Sequence, residues 1–197
     1  DQTYRRVVDR HKAYGLARSV PWGISESAYN LRDRHQTYQY RAFGIADLGL
    51  KRGLARDLVV APYATALAAQ VAPGEALDNL ALLERMGAHG THGFCDALDY
   101  TRPEAGTNFA LVHAFMAHHI GMTLVSLTNV LCGDLWQERF HADPLVKSVE
   151  LLLHERVPRR LAVQAAQVAR PDEIATAPVR EAPIVREVNT LHHSPPR

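Results

Sequence analysis

Glu26 stands in the tract Val20-Pro21-Trp22-Gly23-Ile24-Ser25-Glu26-Ser27-Ala28-Tyr29-Asn30, which sets one carboxylate among aromatic and hydroxyl side chains in a loop entered through Pro-Trp-Gly. Glycoside chemistry generally uses two carboxyl groups flanking the scissile bond, one as acid-base and one as nucleophile or water-activating base. Glu26 is a candidate for one of them. Trp22 and Tyr29 can stack on the apolar faces of a pyranose, and Ser25, Ser27 and Asn30 can bond its hydroxyls or orient the carboxylate. The competing reading is an ordinary helix start, with Glu26 as a surface capping residue.

The tract Gly93-Phe94-Cys95-Asp96-Ala97-Leu98-Asp99-Tyr100-Thr101 offers Asp96 and Asp99 as a second carboxylate or as substrate contacts beside Tyr100, against the alternative of helix capping and a buried hydrogen-bond network. His118-His119 is a weaker metal signal than it looks. Adjacent residues project about 100° apart on a helix, and His113 has no i+4 relation to either. The expectation is no metal: one of His118 and His119 bonds a sugar hydroxyl or a carboxylate, and the other packs in the core with its ring nitrogen satisfied. Lys51-Arg52 lies between Gly49 and Gly53, where the backbone can approach a ligand and Arg52 can bond carboxylates or hydroxyls; a solvated charge pair is the alternative. Arg139, His141 and Asp143 read as a structural corner, with Asp143-Pro144 opening a helix. No GxGxxG or GxxxxGK[ST] loop occurs, so no nucleotide cofactor is expected.

Helical periodicity is predicted over 3–17, 60–71, 74–87, 108–132 and 143–156, with the chemistry-bearing tracts in the loops between. Pro73 suits a first helical turn and Gly87 a helix end. Strand alternation is largely absent before residue 160. The stretch 108–132 is apolar almost all round and reads as a buried helix. After Arg160, Ala162 to Ala169 can finish a helix, and the prolines from Pro171 to Pro196 read as a linker. The opening residues Tyr4, Val7, Val8, His11 and Tyr14 share one helical face, which reads as the inside of a longer protein.

Several tracts recur together in an order that resembles the glucoamylase-like region of bacterial cyclic β-1,2-glucan synthases. They are the Trp22–Asn30 loop, Tyr40-Arg41-Ala42-Phe43-Gly44, Leu48-Gly49-Leu50-Lys51-Arg52-Gly53-Leu54, Val60-Ala61-Pro62-Tyr63-Ala64, Ala97 to Thr101, and Ala117-His118-His119-Ile120-Gly121-Met122, followed by Arg139 to Pro144 and Glu150 to Leu153. The resemblance implies an all-α fold, a partial (α/α)6 toroid over residues 1–160, with 161–197 leading toward a further module. It implies action on linear β-1,2-glucan to give cyclic product by transglycosylation, with hydrolysis and a non-catalytic fragment as alternatives. Glu26 matches a catalytic glutamate of the family and of related endo-β-1,2-glucanases, the nucleophile in retaining members. Tyr63 falls in a matching tract and is a candidate substrate contact. The family's other essential acid sits in Ser-Glu-Ala-Arg surroundings that no tract here resembles, so it is expected upstream of residue 1. Two departures stand out: Cys95-Asp96 where the family reads Gly-Phe-Tyr-Glu, and Ile120 where it has Gln.

The bulk composition agrees with a folded domain. The 197 residues are 47% hydrophobic and 22% charged, with a net charge of +1 and no clustered basic stripe, so no nucleic-acid partner is expected. The expected partners are a β-1,2-glucan chain and the remaining domains of a parent synthase. Cys95 and Cys132 lack zinc or CxxC spacing and are expected to be free thiols in a reducing, cytoplasmic setting. No stretch reaches 18 uninterrupted apolar residues, so no direct membrane contact is expected of this segment, although the resemblance places the parent in the bacterial inner membrane.

Overall fold

The computed structural model describes residues 2–49 and 51–153. The linker expected at 161–197, the helical stretch at Ala162 to Ala169 and the last residues of the 143–156 helix lie outside them.

The expectation of an all-α partial toroid is overturned. Among the described residues, strands form three small antiparallel sheets alongside the helices, a mixed α/β architecture. In chain order the elements are α1 (Gln2–Leu16), β1 (Ser27–Arg32), β2 (Tyr38–Arg41), β3 (Val59–Val60), α2 (Pro62–Ala68), α3 (Pro73–Arg85), β4 (His89–Gly90), β5 (Gly93–Phe94), β6 (Ala97–Asp99), β7 (Ala110–Val112), α4 (Ala117–Cys132), α5 (Leu135–Ala142) and α6 (Pro144–Leu153). Most strands are two or three residues long, too short for a period of two to be read, and the central ones are buried on both faces, so they lack alternation altogether.

The sheet β3-β6-β7 is the centre of the core. Val59, Val60, Ala97, Leu98, Ala110 and Val112 are fully buried there, and Leu83 of α3 packs into the same cluster. β1 and β2 form a hairpin, with a register irregularity between Tyr29 and Arg32. Its turn is held by the Asp33 carboxylate, which accepts the His35 and Thr37 amides. Two further carboxylates tie β1 to the β6 region: Asp96 accepts the Ala28 N–H at 2.6 Å, and Asp99 accepts the Asn30 N–H at 2.9 Å.

The helices begin and end on the signals expected of them. Pro62 and Pro73 occupy the first turns of α2 and α3, and Gly87, at φ +85°, follows the end of α3. Asp143 accepts the Leu145 amide at 2.8 Å and so caps α6, while Arg139 and His141 lie in a helix of their own, α5, rather than at a corner.

The single buried helix expected over 108–132 is also corrected. Ala110–Val112 pairs as a strand with β6, and α4 begins only at Ala117. This helix turns a polar face inward: His119, Ser126 and Asn129 are buried, while Leu124 is 61% and Leu131 81% exposed. Hydrogen bonding, not hydropathy, selects the buried face. Ser126 donates to the Ala66 carbonyl of α2 at 2.7 Å, and the Asn129 carboxamide oxygen takes the Trp136 amide at 2.8 Å. Among the described residues, no helix is long and apolar enough to cross a membrane. Cys95 is buried and Cys132 exposed, both as free thiols.

Candidate active site

The Trp22–Ser27 loop is pinned from beneath before it presents any side chain. The buried Asn79 of α3 grips the Trp22 backbone twice: its carboxamide oxygen accepts the Trp22 N–H at 3.2 Å, and its Nδ2 donates to the Trp22 carbonyl at 2.8 Å. That Nδ2 also donates to Thr65 Oγ1 at 2.8 Å, and Thr65 in turn donates to the Trp22 carbonyl. Gly23 follows at φ +119°, and a Cβ placed there would stand 2.8 Å from Thr65 Oγ1, so only glycine lets the loop lie this close to α2. The Ile24 N–H is taken by His11 Nδ1 of α1 at 3.2 Å, and burial holds the His11 pKa below the ordinary imidazole value. An acceptor Nδ1 requires the ring to be neutral at that nitrogen, so burial and hydrogen bond favour the same form.

Glu26 then leaves the loop at a bend, exposed to solvent, and the chain enters β1. The helix-start reading of this tract does not hold. Around Glu26 the structure collects residues from four separate segments. The Tyr40 hydroxyl of β2 lies 3.1 Å from His118 Nε2 and 3.2 Å from His119 Nε2, with the Glu26 carboxylate near enough for its charge to act on the phenol. Burial, followed by the Glu26, Tyr63 and Asp96 charges, pushes the Tyr40 pKa up to about 12. The phenol therefore keeps its proton and can give it to only one of the two imidazole nitrogens at a time.

Behind His119 stands Asp96. His119 Nδ1 donates to Asp96 Oδ1 at 2.6 Å, both side chains being almost fully buried. With its Nδ1–H on Asp96, the ring presents Nε2 to the Tyr40 hydroxyl and the solvent-facing cluster. One face of His119 is covered by Tyr63, whose ring lies parallel at 3.8 Å between centroids. The Tyr63 hydroxyl reaches Ser25 Oγ at 2.7 Å. Burial raises the Tyr63 pKa, the Ser25 bond opposes the rise, and the Glu26 and Asp96 charges add to it.

Ser25, Glu26, Tyr63, Asp96, His118 and His119 thus come together as one constellation. The remaining sequence candidates lie elsewhere. Asp99 is fully buried, and its carboxylate accepts the Asn30, Thr101 and Arg102 amides and the Arg102 guanidinium, so it frames the hairpin. Arg102 continues to Asp57 at 2.6 Å, and Arg41 pairs with the same carboxylate. Tyr29 packs edge-on against Phe43 beneath the Arg41 and Arg102 guanidiniums. Tyr100 packs on Phe109 in the core, with burial raising its pKa to about 12. Ser27 is fully buried, and its Oγ finds no hydrogen-bond partner among the described residues. Trp22 packs against the small cluster of Val8, Ala68 and Ala72 and, with Ser25 and His11, lines a cavity of about 1010 Å³. Arg52 lines a different cavity of about 440 Å³, beside Gly49, Gly53 and Arg56.

Sequence reasoning missed Tyr40, Asn79 and Thr65 as site residues. Tyr40 lay within a recognised tract, but its position depends on a hairpin neither strand of which was predicted. Asn79 sits inside an ordinary helical pattern and carried no signal.

Residues 2–144 match the glycoamylase family model, a description that denotes glucoamylase-like proteins. The chain is also 46% identical over 169 residues to the cyclic beta-(1,2)-glucan synthase NdvB of Rhizobium meliloti (strain 1021). That alignment takes in 85% of this chain and 6% of the synthase, so the chain spans about 6% of the length of the curated relative it matches.

Proposed function

This chain belongs to the glycoamylase, or glucoamylase-like, family, and from that premise we propose that it is the part of a carbohydrate-active enzyme that carries one catalytic carboxylate for transglycosylation of linear β-1,2-glucan. The name of the relative supplies the substrate class. The observation that carries the reading is the setting of Glu26: an exposed carboxylate beside His118 and His119, whose Nε2 atoms face the protonated Tyr40 hydroxyl, with the buried Asp96–His119 pair fixed behind them.

In this reading Glu26 attacks the anomeric carbon as the bond from that carbon to the glycosidic oxygen breaks, giving a glycosyl ester on Glu26. The departing oxygen takes a proton from an acid that the family resemblance sets outside these residues. The 2-hydroxyl at the far end of the same glucan chain then displaces Glu26, losing its proton to that same group, and the ring closes. Asp96 leaves His119 Nε2 as an acceptor, and Tyr40, giving its proton to that nitrogen, stands fixed beside Glu26 and limits the orientations of the carboxylate. Trp22 and Ser25, on the adjoining cavity, are placed to meet the sugar rings flanking the cleaved bond. The remaining domains of a parent synthase complete the protein.

The test is incubation with linear β-1,2-glucan of this chain and of the chain extended upstream within its parent, following products by mass. Cyclic products, each lighter by one water than its linear counterpart, are expected from the extended form and are abolished by Glu26→Gln. Linear products with new reducing ends would point instead to hydrolysis at the same carboxylate. Turnover that survives Glu26→Gln would sink the assignment.

A further inference from the structure

Glu26, His118 and His119 each direct a ligand atom into one small space, all within 4.8 Å of one another. Adjacent histidines on a helix ordinarily diverge by about 100°. Here they do not. Their rings tilt toward each other, with centroids 4.1 Å apart, and both Nε2 atoms reach the same oxygen, that of Tyr40, at 3.1 and 3.2 Å. The reason lies at the first turn of α4, where Asp96 holds His119 by its Nδ1 and Tyr63 stacks on the ring, so His119 faces the hairpin rather than the helix's own side.

Two imidazole nitrogens and one carboxylate oxygen make a donor set for a borderline transition ion, not for magnesium or calcium, which prefer all-oxygen surroundings. His119 already carries the outer partner such a ligand uses: its Nδ1–H is on a buried carboxylate, which leaves the Nε2 lone pair outward. Glu26 and His118 are exposed, so the fourth position opens to water.

We propose that Glu26, His118 and His119 form a binding site for a divalent transition ion of the zinc class, and that a bound ion takes the Glu26 carboxylate out of use. The Tyr40 hydroxyl then gives up the two imidazole nitrogens and turns toward the water on the ion. Binding follows from the ligand geometry alone; the block on turnover rests on the role given to Glu26 above.

The experiment is titration of the purified full chain with zinc against a chromophoric chelator, with cobalt absorption reporting the ligand set. One ion is expected, its affinity reduced about tenfold or more in His118→Ala and in Glu26→Gln and unchanged in His113→Ala, an exposed histidine outside the cluster. His118 is itself exposed, so its removal leaves the fold intact and the comparison readable. Absence of zinc binding, or equal affinity in the wild type and the His118→Ala/Glu26→Gln double variant, would overturn the site. Zinc bound at this site while Glu26-dependent turnover continues would overturn the block. Zinc binding by this chain, with no glucan turnover by the upstream-extended enzyme, would support the site and count only against the catalytic role of Glu26.

Discussion

Asp96 and His119 lie 2.6 Å apart, carboxylate oxygen to Nδ1, in a part of the protein where neither side chain meets solvent. The same carboxylate takes the Ala28 amide with its other oxygen, so one residue joins the strand after Glu26 to the helix that carries His118 and His119.

Replacing Asp96 by Asn should therefore be costly although the shape is kept. Both oxygens of the carboxylate accept, whereas a carboxamide has one acceptor and would turn its NH₂ toward the second donor. One buried donor is left facing another, a loss of about 1–3 kcal/mol. Urea denaturation measures that loss where His119 keeps its proton on Nδ1; where NMR of the ring nitrogens shows the proton moved to Nε2, Nδ1 accepts the NH₂ and the bond to Tyr40 changes instead. An unchanged midpoint with an unchanged tautomer would mean that the pair does not hold the site.

His11 supplies a pH dependence with a definite sign. Its folded pKa lies below the ordinary value of 6.5 because the ring is buried while Nδ1 accepts the Ile24 amide. The unfolded chain therefore takes up the proton first as pH falls. The contribution is complete above pH 6.5 and is lost as pH falls from there through the folded value. Stability measured by urea midpoint should decline over that window, and His11→Gln, which keeps an acceptor but cannot titrate, should flatten the decline. An equal slope in the variant would assign it to other groups.

The extent to which the sequence foretold this arrangement follows from what each element depends on. The helix starts at Pro73 and Asp143-Pro144 were legible because their signals are local: a fixed proline φ or a side chain that caps two residues on. The Glu26 loop stood out in the sequence through its unusual mixture of residue types, and the structure brings Ser25 and Glu26 together with Tyr63, Asp96, His118 and His119. β3, β6 and β7 were not legible. Val59–Val60 and Ala97–Asp99 are strands only because they find each other across the chain, and short apolar runs buried on both faces look like helix. His118-His119 shows the same limit on a smaller scale. Ideal helical geometry says that the rings part, and only the Asp96 bond and the Tyr63 stack bring them together.

Asn79→Ala tests whether the loop must be clamped for Glu26 to be in place. The substitution strips the Trp22 N–H and carbonyl of two partners at once, in a buried setting, for a loss of about 2 kcal/mol. Thermal or urea denaturation should show that loss, and tryptophan emission should shift as the Trp22 surroundings open. A variant as stable as the wild type would show that Thr65 and Gly23 suffice.

Tyr40→Phe separates the chemistry from the fold. Tyr40 is 39% exposed, and only its hydroxyl makes the bonds to His118 and His119, so removing one oxygen should leave the urea midpoint within about 0.5 kcal/mol of the wild type. Turnover of linear β-1,2-glucan by the upstream-extended enzyme should nonetheless fall about 10²-fold, because without that polar neighbour the carboxylate samples orientations that cannot attack. The loss should appear in kcat with KM little changed, since the hydroxyl acts on the reacting carboxylate rather than on distant sugar rings. A KM effect alone would make Tyr40 a substrate contact, and full activity would remove it from the mechanism.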